Sequence, residues 1–173
     1  AWRNVAAARV RAGMLPGAID AYRQAERRAP PEDRAEIATR RTIPAFYELR
    51  GFRRAWSSPE ASQELLRAVR EIAADGLDPD DYDVSWVEGQ VEVTRILGSA
   101  TEDSRARLDV GLSVAAARFA TALRRGRVNP TALHVTFKLP IDSFDVAATL
   151  DTLAVSPWPG DVFRGLEPPF LQY

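Results

Sequence analysis

This 173-residue chain predicts an all-α fold, an irregular multi-helix bundle, and three observations carry that prediction. Apolar residues recur at three- and four-residue spacing through most of its length. Residues that start and stop helices punctuate those runs. Apolar and polar residues alternate only in the short piece from Leu133 to Leu139. With 46 % hydrophobic residues the chain can build one well-packed core plus a small appendage. The expected division is a helical hairpin at residues 1–31 and a helical domain at residues 32–173.

Residues 2–13 read as an alanine-rich helix closed by Gly13. Residues 16–28 read as a second helix with Pro16 at its first position, where the absent N–H has no helical partner to lose. Trp2, Val5, Ala6 and Val10 line the first helix, Ala18, Ile19, Tyr22 and Ala25 the second, and Pro30-Pro31 ends the pair. A third helix is expected from Glu32 to about Arg41. Pro44 removes a donor and crowds the preceding turn, so a break or kink is expected there, with another helical segment starting at Thr42 or Ile43 and running through Arg50.

The next helix has the clearest ends: Ser58 as N-cap, Pro59 at the first position, Glu60 and Glu64 early, and Gly76 as terminator. Leu65, Leu66, Val69, Ile72 and Ala73 form its apolar stripe. Asp78 then caps a turn led by Pro79. Val84 to Leu97 reads as a helix with Trp86, Val87, Val91 and Ile96 inward, ended by Gly98-Ser99. The longest helix is expected from Asp103 to Arg125, roughly 30 Å long. Its stripe is Leu108, Leu112, Ala115, Ala116, Phe119 and Leu123, and Gly126 stops it. A shorter helix follows Ser143 through about Ala154, and the proline-rich remainder is expected to wrap the surface.

Composition excludes several function classes. With 23 basic and 24 acidic residues the net charge is −1, without the basic excess of a nucleic-acid or membrane-surface binder. Lys138 is the single lysine, an arginine bias that fits genome composition better than phosphate recognition. No apolar run approaches the roughly 18–20 residues that span a bilayer. The chain opens on Ala1-Trp2 without a signal peptide and reads as a fragment or a processed product. The absence of cysteine removes disulfides, thiolate nucleophiles and thiolate metal sites.

Four groups of residues invite a chemical reading. His134 is the only histidine, with no serine-and-acid arrangement beside it, and local packing explains it better than catalysis. Asp75, Asp78, Asp80, Asp81 and Asp83 form an acidic run in which Asp81, Asp83, Ser85 and Glu92 fall at positions 1, 3, 5 and 12 of a calcium loop. Trp86 stands where that loop needs glycine, and helix caps explain the same acids more simply. Phe46, Tyr47, Phe52 and Trp56 have faces that suit sugar rings, yet their spacing favours a core cluster with partly exposed edges. Arg124, Arg125 and Arg127 surround a helix C-terminus, where cations are favourable and a carboxylate ligand is conceivable. No catalytic, cofactor-binding or metal residue is assigned.

Trp2, Ala6, Gly13, Ala18, Tyr22, Ala25 and Pro30 make the hairpin resemble a single tetratricopeptide repeat. Four further segments, in order, resemble the scaffold domain of large L,D-transpeptidases. They are Phe46-Tyr47-Glu48-Leu49-Arg50-Gly51-Phe52-Arg53-Arg54-Ala55-Trp56, the stretch from Leu65 to Tyr82, the stretch from Asp109 to Pro130, and the closing residues Leu166 to Tyr173. The likeness covers roughly residues 40–173. It implies a non-catalytic helical domain of an exported, periplasmic or envelope enzyme that cross-links peptidoglycan. The implied partners are a catalytic domain of the same polypeptide and, beyond it, peptidoglycan; no cofactor is implied. The family's nucleophile is a cysteine in a Ser-His-Gly-Cys type motif that this chain lacks, so no catalytic residue carries over. The hairpin, and Phe137 where the family often has tryptophan, depart from the pattern. The alternative expectation is a tetratricopeptide-type protein-interaction module.

Overall fold

The computed structural model describes residues 17, 19–20, 24, 34–57, 59–73, 76–97, 101–125 and 144–167. Among them are six α-helices and one 3-10 turn, and no strand: α1 (Arg34–Leu49), α2 (Pro59–Ala73), the turn Pro79–Tyr82, α3 (Val84–Leu97), α4 (Glu102–Arg125), α5 (Val146–Val155) and α6 (Pro159–Arg164). The all-α expectation holds. The hairpin at residues 1–31, except for four scattered positions, lies outside the described residues, as do His134 and the Leu133–Leu139 piece. Ile19, from the hairpin's expected stripe, is described and buried.

Pro44 does not break the chain as expected; it sits inside a continuous α1. The lost hydrogen bond and ring crowding cost about 3 kcal/mol. Ile43, Phe46 and Tyr47 on the same helix are all but fully buried, and burying a large apolar side chain stabilises by about 1.5–3 kcal/mol each. Tertiary packing against α4 therefore outweighs the local penalty. The C-terminus of α1 is closed by a paired motif in which the Gly51 N–H donates to the Glu48 carbonyl (3.0 Å) and the Phe52 N–H to that of Tyr47 (2.8 Å). Gly51 takes the required left-handed conformation at φ 59°, and Phe52 follows it at φ 55°. For a residue with a Cβ that costs roughly 1–2 kcal/mol.

The centre of the bundle is α4. From Asp109 to Ala122 every residue except Arg118 is buried. The apolar spacing predicts one buried stripe; the helix is instead enclosed by α1, α2, α3 and α5. Its small residues, Ala115, Ala116, Ala117, Ala120 and Ala122, let those neighbours come close. Arg118, the exception, reaches Asp83 at 3.4 Å.

Other ends match their local signals. Asp78 caps the 3-10 turn by accepting from the Asp80 N–H (3.0 Å). Asp145 caps α5 by accepting from the N–H groups of Ala147 and Ala148. The region expected to wrap the surface contains α6, whose Pro159 and Phe163 are buried. Phe163 meets Phe119 edge-on with centroids 5.1 Å apart, and Phe119 meets Tyr82 in the same way at 5.2 Å. This aromatic row joins α6, α4 and the 3-10 turn through their rings.

Candidate functional site

The most elaborate polar arrangement in the described residues is buried where α1, the loop after it and α4 meet. Tyr47 stands near the end of α1, Ala55 and Trp56 lie in the loop leading to α2, and Asp109 and Ser113 are four residues apart on α4. That spacing places the last two on one face, a turn apart. The Tyr47 hydroxyl lies 2.6 Å from Asp109 Oδ1 and 2.7 Å from Ser113 Oγ. The Ala55 N–H donates to Asp109 Oδ1 (3.0 Å) and the Trp56 N–H to Oδ2 (2.8 Å). The Trp56 indole donates to Ser113 Oγ (2.9 Å).

Donor chemistry orients this network. An indole N–H only donates and a carboxylate only accepts. Ser113 Oγ therefore accepts from Trp56 and gives its own proton to Tyr47, whose proton goes to Asp109. The result is a directed chain from Trp56 through Ser113 and Tyr47 to Asp109, in which each bond polarises the next. Three donors hold the carboxylate, and among the described residues no cation touches it.

Burial pushes the Asp109 carboxyl above its usual range, opposed by the hydrogen bonds from Tyr47, Ala55 and Trp56 and by the charge of Arg54. Burial, and then the charge of Asp109, push the Tyr47 phenol well above its ordinary value of 10.0. The tyrosine proton thus stays in place. A raised carboxyl is often a sign of catalysis, but Asp109 is only 1 % exposed and Tyr47 is fully enclosed. What this chemistry can do is position: it ties the backbone of the loop at 55–56 to the central helix. Nearby, Arg50 pairs with Asp151 of α5 and lies over the Phe46 ring at 5.3 Å, adding a second, exposed tie.

The residues singled out from sequence separate clearly. Phe46, Tyr47 and Trp56 are core residues, whereas Phe52 is 41 % exposed. Asp78 is a cap, Asp80 accepts from the Ser85 hydroxyl, and Asp83 ends the turn at φ 59° facing Arg118. The calcium-loop register falls on a 3-10 turn that runs straight into α3, with Trp86 inside the helix, so these acids do not wrap a common centre. Among the described residues no group of three or more His, Asp or Glu is placed to hold a metal ion. Arg124 is exposed at the end of α4, and the side chains of Arg125, Arg127 and His134 lie outside the described residues.

Asp109 and Ser113 were not singled out as a site. Their signal was present: two polar residues at i, i+4 inside an apolar helix, in one of the segments that carry the family likeness. The structure joins that segment to the one containing Tyr47 and Trp56.

A family model described as Scaffold domain matches residues 41–173, a span that contains every residue of this clamp. No curated protein and no solved structure gives a significant match.

Proposed function

The chain belongs to the Scaffold domain family, and from that premise we propose that it is the non-catalytic helical support of an exported L,D-transpeptidase that cross-links peptidoglycan. In this reading the catalytic domain is encoded in the same polypeptide and acts in the periplasm or cell envelope. The observation that carries the reading is the clamp. The polar side chains of two matching segments face each other in a solvent-closed network that fixes a loop and leaves none of them able to reach a substrate. The cysteine that performs this chemistry in the family has no counterpart in the sequence.

Incubating the purified chain with tetrapeptide muropeptides tests the reading. The expected result is no cross-linked product from the chain alone and turnover by the parent polypeptide. Product from the chain alone would overturn the non-catalytic reading. A parent gene with further helical repeats upstream and no cysteine-bearing domain would favour a protein-interaction module instead.

A further inference from the structure

Asp109 is 1 % exposed, and among the described residues its carboxylate meets three donors and no cation. Enclosure of this kind favours the neutral acid, whereas donated hydrogen bonds favour the ion. A neutral acid carries a proton that needs an acceptor of its own. Oδ2 faces the Trp56 N–H, which only donates. Oδ1 lies 2.6 Å from the Tyr47 oxygen, which can accept as well as donate. Of the three contacts, this one alone can take the proton.

Turning that bond round turns the next ones too. With Asp109 protonated at Oδ1, the Tyr47 hydroxyl gives its proton to Ser113 Oγ across the same 2.7 Å, a contact in which either oxygen can donate. Ser113 Oγ then accepts from both Tyr47 and the Trp56 indole, and its own proton must go elsewhere. On a helix the carbonyl four residues back, here that of Asp109, is within reach of a serine hydroxyl. Thr121, further along α4, makes such a bond to the Ala117 carbonyl at 2.7 Å. No heavy atom has to move. The N–H groups of Ala55 and Trp56 keep their acceptors, Ala55 on the remaining lone pair of Oδ1.

We infer that the clamp is a two-way proton switch on the loop at residues 50–57: Tyr47 and Ser113 reverse together, Asp109 is held ionised or protonated, and the hold tightens in acid because the protonated form buries no charge. Tyr47 faces Asp109 from α1, Arg54 in the loop favours the ion, and Arg50 at the end of α1 acts on Tyr47. Among the described residues, α2, α3 and α5 add no group to the hydrogen bonds of the network. Burial prevails over Arg54 and the three donors and leaves the carboxyl above its usual range. Opening the loop returns Asp109 to water and to its ordinary value, so opening releases a proton and acid opposes it. The added hold is complete below the ordinary aspartate range and is lost as pH rises through the value in the closed state. A loop held by a salt-bridged aspartate would behave the other way. The loop so held includes Phe52 at φ 55°, a conformation that bulky residues avoid.

Two measurements on the whole chain test the switch. The first is amide exchange at Ala55 and Trp56 from neutral pH downward, corrected for the intrinsic pH dependence of exchange. Protection should rise several-fold as Asp109 takes up its proton, while the Asp80 amide, capped by the exposed Asp78 carboxylate, gains none. Protection that falls at Ala55 and Trp56 would overturn the inference, because the protonated acid would then be letting the loop go. The second is the carboxyl-carbon NMR titration of Asp109 in the wild type and in Ser113→Ala. Without Ser113 the reversed Tyr47 proton has no acceptor, so the Asp109 pKa should drop. A pKa that stays or rises would mean that the chain runs one way only and would overturn the switch. Should Ser113→Ala not fold, the exchange of the wild type decides alone.

Discussion

Two short polar connectors in this molecule are built on opposite principles. In the turn at residues 76–83 the leading acids are satisfied from nearby in sequence: Asp78 accepts from the Asp80 N–H, and Asp80 from the Ser85 hydroxyl. The loop at residues 50–57 is held by Asp109 and Ser113, more than fifty positions away on α4. Asp78 and Asp80 are exposed to solvent, whereas Asp109 is buried and accepts from the Tyr47 hydroxyl and the N–H groups of Ala55 and Trp56. A buried polar network carries a larger penalty when one member is lost, because its partners have no water to turn to.

Substitutions should therefore rank by burial and not by formal charge. Asp109→Ala leaves the N–H groups of Ala55 and Trp56 and the Tyr47 hydroxyl without an acceptor, so chemical denaturation should show a loss of about 3 kcal/mol or more. Tyr47→Phe removes one hydroxyl from the chain and should cost about 1–2 kcal/mol by the same measurement. Asp78→Ala removes an exposed cap and should cost about 1 kcal/mol or less. Arg67→Ala, which loses ion pairs to Glu64 and Glu71 on the open face of α2, should leave the denaturation midpoint close to that of the wild type, because exposed ion pairs contribute little.

The same contrast has a pH signature. Tyr47 in the folded state holds its proton well above its ordinary value of 10.0, chiefly because it is buried. The folded state then binds more protons than the unfolded chain at alkaline pH, so this contribution is complete below about pH 10 and is lost as pH rises. The stability of the wild type relative to Tyr47→Phe should decline above that point. Asp109, raised from 3.8 mainly by burial, has the same sign. Its contribution is complete below the usual aspartate range and is lost as pH rises through its folded value. An aspartate stabilised by a salt bridge would show the reverse.

The difference between the connectors also explains what could be read from sequence. The Asp78 cap, the limits of α3 and the ends of α4 depend on local signals and stand as expected, within a residue. A break at Pro44 is what its real local penalty predicts, and only the tertiary burial of its neighbours keeps α1 continuous. The α6 segment was missed because its prolines read as irregular chain, while Phe163 declares itself only against Phe119. Residue type and spacing mark Tyr47 and Trp56 as core residues; their acceptors lie on another helix, and no spacing rule links position 56 to position 109. The identity of the polar residues was legible, but their pairing was a property of the fold.

Trp56, Ser113, Tyr47 and Asp109 act as one clamp. A double-mutant cycle with Tyr47→Phe and Ser113→Ala measures that cooperation. Cooperation within the chain predicts a coupling energy of about 0.5–3 kcal/mol; additivity within about 0.3 kcal/mol would contradict it.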